Sequence, residues 1–314
     1  MKKNPKVLYV TDLDGTLLHH DERISAWSCE TLNHLIKEGL LFSYATARSI
    51  FTASVVTEGL NAQLPVIVNN GSFLTDPHSR KRILVNQFSR GEAEDIYATL
   101  CRHQIAPLVD AIINDRERFS YYERLINPAL AEFVAARKHD GRDNPLCGTY
   151  IDSECAAEDT VCTHSTLAAG DTLSNGSRHA GKYDTSAILQ GDVFYFTCIG
   201  EEEKLWAAYE ELRPAYNCIF QFDIYSHEPW LEVMPHTASK AHAILQLKEL
   251  YKCDTVVVFG DGANDIPMFQ IADEGYAMAN AIDPLKEIAT AVIDSNENDG
   301  VAKWLAENAI YEIR

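Results

Sequence analysis

The run Val7-Leu8-Tyr9-Val10-Thr11 leads directly into Asp12-Leu13-Asp14-Gly15-Thr16, and this junction restricts the fold more than any other stretch of the chain. Five mostly apolar, strand-forming residues read as a buried strand, with two carboxylates spaced i and i+2 at its tip. Burying that tip crowds like charges and strips their water, which is unfavourable unless a cation shares the site. A hard divalent ion such as Mg2+ meets the need, because it takes carboxylate, carbonyl and water oxygens. Gly15 lets the backbone turn sharply, and Thr16 offers a hydroxyl just past it. An EF-hand loop is excluded, since it requires glycine at its sixth position and glutamate at its twelfth, whereas here Gly15 is fourth and Leu17 sixth. A plain Asp-Gly turn leaves unexplained a second acidic cluster far downstream.

With 314 residues the chain has room for about two domains, each with its own core. Its 46% hydrophobic and 23% charged residues lie in the ordinary soluble range. A formal net charge of -19 argues against binding nucleic acid or an anionic membrane, both of which call for a basic face. An anionic substrate would need local lysine, arginine or metal to overcome that field. No apolar run approaches the ~18 residues of a membrane span, and the apolar stretch before Asp12 is too short for a signal-peptide core. Eight cysteines lie scattered without a Cys-x-x-Cys, a pattern suited to reduced thiols in a cytoplasm.

The N-terminal third alternates strand and helix patterns. Ser25 can cap a helix running to residue 38, with Leu32, Leu35 and Ile36 on one face and Gly39 as terminator. A strand over 40–45 ends in Thr46-Ala47-Arg48; a helix over 50–58 and a strand Val66–Val68 run into Asn69-Asn70-Gly71. The C-terminal part resumes with a helix over 240–251, an apolar strand over 255–259, Gly260-Asp261-Gly262-Ala263-Asn264-Asp265, a helix, a strand over 276–279 and a final helix over 301–307. Such alternation predicts an α/β fold: a doubly wound parallel sheet with its ligand site at the strands' carboxyl ends. The middle reads as α+β, with helices over 91–103, 128–137 and 201–213, strands over 109–114, 193–199 and 218–225, and long loops between 139 and 184. The expected organisation is a core of residues 1–84 and 236–314 carrying an inserted domain, 85–235.

Four sequence-distant pieces fall where a core strand ends or a core helix begins: Asp12 with Asp14, Thr46, Lys240, and Asp261 with Asn264 and Asp265. A parallel sheet gathers its strand ends on one rim, so these groups converge. Together they supply acidic metal ligands, a hydroxyl, a cation and a carboxamide, which suit a phosphoryl group. Alone, Lys240 reads as a solvated helix lysine and Thr46 as an ordinary strand end; the order of the four motifs gives them meaning.

In these motifs the chain resembles phosphatases of the haloacid dehalogenase superfamily, in the Cof-like subfamily IIB with its large α+β cap. The matching segments are Asp12-Leu13-Asp14-Gly15-Thr16, Ala45-Thr46-Ala47-Arg48, Ser239-Lys240-Ala241 and Gly260-Asp261-Gly262-Ala263-Asn264-Asp265, with weaker echoes in Asn70-Gly71, Met278-Ala279-Asn280-Ala281 and Asp299-Gly300-Val301. Ala47 and Ala241 stand where the subfamily usually has glycine. The resemblance implies that Asp12 is a nucleophile forming an aspartyl-phosphate and that Asp14 is the acid and base serving it. It also implies a Mg2+ held by Asp12, the Asp14 carbonyl and Asp261, with Asp265 in support. The Leu13 and Ala47 backbone N–H groups, Thr46, Lys240 and Asn264 would then cradle phosphate, Lys240 lying at a helix N-terminus.

Other features carry less. Cys147, Cys155, Cys162 and His164 match no zinc spacing. His19 and His20 follow the first motif closely, where they can either touch a leaving group or stand as solvated loop residues, the latter being the preferred reading. Tyr225, His227, Glu228 and Trp230 precede the return to the core, where they can either meet a substrate's sugar or ring or serve ordinary packing. The expected function is a cytoplasmic Mg2+-dependent phosphatase acting on a small phosphorylated metabolite, with neither nucleic acid nor membrane as partner. Alternatives are a phosphotransferase or mutase, with a sugar hydroxyl as acceptor, and a non-catalytic sugar-phosphate sensor.

Overall fold

The computed structural model describes residues 5–123, 126–146, 185–223 and 226–310. It divides into two compact units, one of Met1–Gln87, Ala215–Gln221 and Val233–Arg314, the other of Phe88–Pro214 and Phe222–Glu232.

In the first unit the chain runs through β1 (Val7–Thr11), α1 (Ala26–Glu38), β2 (Leu41–Tyr44), α2 (Ile50–Val56), β3 (Val66–Val68), β4 (Phe73–Thr75) and β5 (Arg82–Val85). The second unit opens with α3 (Arg90–Arg102), β6 (Leu108–Ile113), β7 (Arg116–Tyr122), α4 (Pro128–Arg137), β8 (Asp143–Leu146), β9 (Asp192–Ile199) and α5 (Glu202–Leu212). Then follow β10 (Asn217–Phe222), β11 (Pro229–Met234), α6 (Lys240–Tyr251), β12 (Thr255–Gly260), α7 (Ile266–Ile271), β13 (Glu274–Met278), α8 (Asp283–Ile288), β14 (Ala291–Ile293) and α9 (Gly300–Asn308).

Strands β14-β13-β12-β1-β2 form one sheet, with every neighbouring pair parallel. The two central strands are apolar and buried along nearly their whole length, including Leu8, Val10, Val256, Val258 and Phe259, as expected of a sheet covered on both faces. From β1 the chain steps to β2 on one side, and later returns as β12 on the other. That reversal of order opens a crevice at the carboxyl ends of β1 and β12, where Asp12 and Asp261 emerge. Local rules hold around it. Ser25 caps α1, its side chain accepting from the Ser28 N–H, and Gly39 closes the helix at φ 115°. The antiparallel β3-β4-β5 sheet adjoins this rim through a parallel bridge between Ala45 and Ile67.

The third sheet has the order β10-β11-β9-β6-β7-β8. On the α4 side, Leu108, Phe119, Tyr121, Leu130, Val134 and Ile199 make a core against which Phe133 and Trp230 pack. Two features depart from expectation. Strand β7 follows β6 through the two-residue turn Asn114-Asp115, both at positive φ (50° and 62°); this is the signature of a tight hairpin turn, which ending the strand at Asn114 overlooked. Residues Asp143–Leu146, expected as loop, form edge strand β8 parallel to β7. Pro145 is tolerated there because an edge strand has a side without ladder bonds, and Asn144 ties the strand down by donating to Ser120 Oγ at 2.8 Å. The remainder of the expected loop, with Cys147, Cys155, Cys162 and His164, lies outside the described residues.

One buried acid in the second unit sets a pH dependence. Burial raises the Asp110 carboxyl from 3.8 to about 7, opposed by Arg142 and Arg137 and reinforced by Glu117 and Glu232. The folded chain therefore keeps a proton that the unfolded chain has released. The contribution of this group to stability is complete below the unfolded value and is lost as pH rises towards about 7. Urea denaturation of wild type and Asp110→Asn between pH 5 and 8 checks this. The variant should show a smaller fall and be about 1–3 kcal/mol more stable than wild type at pH 8; parallel curves would contradict the assignment.

Candidate active site

Asp12 continues β1 by one residue, its N–H donating to Phe259 O at 2.9 Å. That ladder bond fixes the first acid beside the end of β12. Asp261 follows Gly260, the last residue of β12. Gly15 faces it across the crevice at φ +74°, and a Cβ there would lie 2.3 Å from Asp261 Oδ2. Glycine at this position thus provides both the left-handed turn and the room for the carboxylate. Thr16 Oγ1 donates to Asp261 Oδ1 at 2.7 Å, so the hydroxyl noted in the sequence orients the downstream acid.

Lys240 opens α6, whose N-cap Ser239 accepts from the His242 N–H at 3.0 Å. The lysine is 2% exposed. Its ammonium donates to Asp12 Oδ1 at 2.6 Å and to Asp265 Oδ1 at 2.7 Å. Asp265, fully buried, accepts with its other oxygen from the Asp261 and Gly262 N–H groups at 2.9 and 3.0 Å. Both oxygens of Asp265 are thus engaged, which suits it to shaping the Asp261 loop. Gly71, in the turn after β3, packs so closely on the start of α6 that a Cβ would come within 2.2 Å of Ser239 O.

Thr46 is buried after β2. Its N–H donates to Ile67 O at 2.9 Å, and its Oγ1 accepts from the Arg48 N–H at 3.1 Å, leaving the hydroxyl proton to be donated elsewhere. The Leu13 and Ala47 backbone N–H groups donate to no other described residue. Asn264 lies half-buried in the short turn Ala263–Asp265.

Asp12, Asp14, Thr46, Lys240, Asp261, Asn264 and Asp265 therefore all stand at the carboxyl rim of the first unit. The second-unit residues read differently. Trp230 packs edge-on against Phe133, ring centroids 5.1 Å apart. His227 and Glu228 are exposed in a turn closed by the His227 N–H to Asp223 O at 3.0 Å. Tyr225 lies outside the described residues.

Sequence reasoning gave no role to Arg48, although it ends the Thr46 motif. Its guanidinium grips Asp14, with Nε 2.9 Å from Oδ2 and a terminal nitrogen 2.5 Å from Oδ1, and the same terminal nitrogen donates to Glu22 at 2.6 Å. Three C-terminal residues also turn out to brace the first loop. Asn280 donates to Gly15 O at 2.7 Å, and Asn296 to Leu18 O at 2.8 Å. Asp299 accepts from His19, Ser25 and Ser28 at 3.1, 2.5 and 2.8 Å. His19 is thereby tied into the brace, while His20 stays exposed.

The electrostatics follow from burial and crowding. Burial, then the charge of Asp265, pushes the Asp12 carboxyl well above its ordinary range despite Lys240. Burial and Asp265 also raise Asp261 to about 7, against the Thr16 hydroxyl and Lys240. Burial by itself would lower the Lys240 ammonium, but Asp12 and Asp265 outweigh it and hold the group above its usual value. Carboxylate oxygens of Asp12, Asp261 and Asp265 lie within 4.8 Å of one another, and one ammonium does not balance three acids. An all-oxygen donor set with surplus negative charge fits a hard dication such as Mg2+.

Removing Lys240 should expose what it holds. Lys240→Met leaves Asp12 and Asp265 buried without their cation, so the metal-free protein should lose about 3–5 kcal/mol in urea denaturation at neutral pH. A loss below about 1 kcal/mol, the worth of an exposed pair, would contradict this geometry.

A sequence model of haloacid dehalogenase-like hydrolases matches residues 9–305. Two Bacillus subtilis (strain 168) proteins are similar over nearly their whole length. The 5-amino-6-(5-phospho-D-ribitylamino)uracil phosphatase YwtE is 27% identical over 310 residues, covering 94% of this chain and 95% of its own. The phosphatase YitU, named for the same substrate, is 25% identical over 311 residues, covering 96% of each. In fold, the chain resembles the crystal structure of TM0651 from Thermotoga maritima, with a TM-score of 0.67 at 21% identity over 98% of this chain and 99% of that one. The parallel-sheet rim, the motifs set around it and the family match over residues 9–305 lead to one conclusion: the chain belongs to the haloacid dehalogenase-like hydrolase family.

Proposed function

We propose that this protein is a Mg2+-dependent phosphatase that hydrolyses a small phosphomonoester through an aspartyl-phosphate on Asp12. The observation that carries the reading is the buried Lys240 ammonium, 2.6 Å from Asp12 and 2.7 Å from Asp265. It is a fixed cation beside a carboxylate on a rim with unused N–H donors, and such a rim accepts phosphoryl oxygens.

In this reading an Asp12 oxygen attacks phosphorus while the bond to the leaving oxygen breaks, and Asp14 gives that oxygen its proton. Asp14 then takes a proton from the water that attacks the aspartyl-phosphate, releasing phosphate and restoring both acids. Thr46, Asn264, Lys240 and the N–H groups of Leu13 and Ala47 hold the phosphoryl oxygens. Asp12, the Asp14 carbonyl and Asp261 would hold Mg2+, with Asp265 orienting the loop behind them. When bound, the ion supplies positive charge between two anionic partners. Against a whole-chain charge of -19, that local positive charge is needed for an anionic substrate to settle.

The names of the B. subtilis relatives support a phosphorylated metabolite as substrate, an alkyl phosphate on a polyol or sugar. Substrate choice falls to the inserted segment 85–235, where Tyr225, His227, Glu228 and Trp230 remain candidate contacts. No helix among the described residues is long and apolar enough to cross a membrane, and the five described cysteines are free thiols, which is compatible with work in the cytoplasm.

Asp12→Asn should lower p-nitrophenyl phosphate hydrolysis by at least about 10³-fold with an unchanged circular dichroism spectrum. Chelation of divalent metal should stop wild-type turnover, and added Mg2+ should restore it. Retained activity in the variant would refute the nucleophile assignment, and turnover that survives chelation would refute the metal.

A further inference from the structure

We propose that Arg48, held from behind by Glu22, is the positioning residue for Asp14, setting its carboxyl for proton transfer to the leaving oxygen. This inference rests on the phosphatase reading above, and in particular on Asp14 as the proton donor.

Asp14 sits at a turn, between Leu13 and left-handed Gly15, with its side chain 24% exposed. Like-charged Asp12 and Asp261 are neighbours, so on electrostatic grounds a free carboxylate would turn towards solvent. Arg48 opposes that with a fork: Nε reaches both oxygens, at 3.1 and 2.9 Å, and a terminal nitrogen reaches Oδ1 at 2.5 Å. A planar guanidinium bound in this way fixes the direction and the plane of the carboxylate, which a point charge does not. The fork needs its own anchor, because an arginine side chain is long and rotamer-rich. Glu22 provides it at 2.6 Å from a tight turn, where Glu22 has φ 58° and its N–H donates to His19 O at 3.0 Å.

Stability alone does not account for this arrangement. The Glu22 side chain is 44% exposed, and ion pairs of that exposure contribute only about 0–1 kcal/mol. Adding Glu22 to a guanidinium already forked onto Asp14, across 26 and 34 residues of sequence, gains little energy of its own but a defined orientation. A proton donor gains most from orientation, since it must lie within hydrogen-bond reach of the atom it serves.

The test compares kcat/KM for benzyl phosphate, whose alkoxide leaves poorly without a proton, with kcat/KM for p-nitrophenyl phosphate, whose phenolate leaves readily. Asp14→Ala should collapse the benzyl-to-nitrophenyl ratio. Arg48→Ala should lower the ratio about tenfold or more, with Arg48→Lys in between and Glu22→Gln about threefold to tenfold, each a partial loss of the roughly 10²–10⁴-fold that general acid catalysis supplies. Equal losses on both esters, or ratios within twofold of wild type in the Arg48 and Glu22 variants while Asp14→Ala collapses it, would overturn the inference and leave the phosphatase reading standing. An Asp14→Ala ratio equal to wild type, or a wild-type protein that turns over neither ester, would remove Asp14 as donor and this inference with it. Arg48→Lys and Glu22→Gln keep size and polarity, so the comparison holds even if Arg48→Ala does not fold.

Discussion

The rim of this molecule depends on one buried ammonium. Lys240 holds Asp12, at the end of β1, and Asp265, in the turn after β12, at 2.6 and 2.7 Å. Without it, two acids at neighbouring strand ends would repel across a dry crevice, and the loops carrying them would have to part or take up protons. With it, Asp265 spends its second oxygen on the Asp261 and Gly262 N–H groups, which shapes the loop presenting Asp261. The same cation is well placed to hold a phosphoryl oxygen, so a single contact serves both the fold and the proposed chemistry.

Around this contact the first loop is held from two sides. Asn280, Asn296 and Asp299 come from the turns between the last strands and helices and satisfy backbone or side-chain groups of residues 15–28. Arg48, just past β2, holds Asp14 and is itself gripped by Glu22 of the same loop. A loop built from turns, with Gly15 and Glu22 both at positive φ, closes on itself through bonds such as Leu17 N–H to Leu13 O and His19 N–H to Arg23 O, and these distant partners satisfy groups that the turns leave open. The Asn280 and Asp299 motifs, faint in the sequence, thus serve as supports for the first loop.

Much of the core was legible because buried parallel strands carry a continuous apolar signal and helices announce their caps. Thr255–Gly260 and the Ser25 and Ser239 caps illustrate this. The four motif segments were legible for a related reason, since acids, a glycine and a lysine at strand ends have few bland explanations together. Strand β8 was hidden by Pro145 in a polar stretch, because an edge strand needs only one bonded side. The β6–β7 hairpin was hidden behind Asn114-Asp115, a turn whose meaning depends on backbone handedness. Arg48 went unassigned because its partners, Asp14 and Glu22, are 34 and 26 residues away, and no local spacing links them.

The sequence by itself determined the alternating elements, the crowding of acids at strand ends and the need for a cation there, because these follow from local pattern and from the cost of burying charge. Only the tertiary structure decided which cation meets which acid: that Lys240 bridges Asp12 and Asp265, that Arg48 takes Asp14, and that Thr16 orients Asp261. Those pairings depend on which strand ends the sheet order makes neighbours, and on side chains reaching a few ångströms across loops remote in the chain. Contacts of that kind are fixed by packing in three dimensions and leave no periodic trace in the sequence.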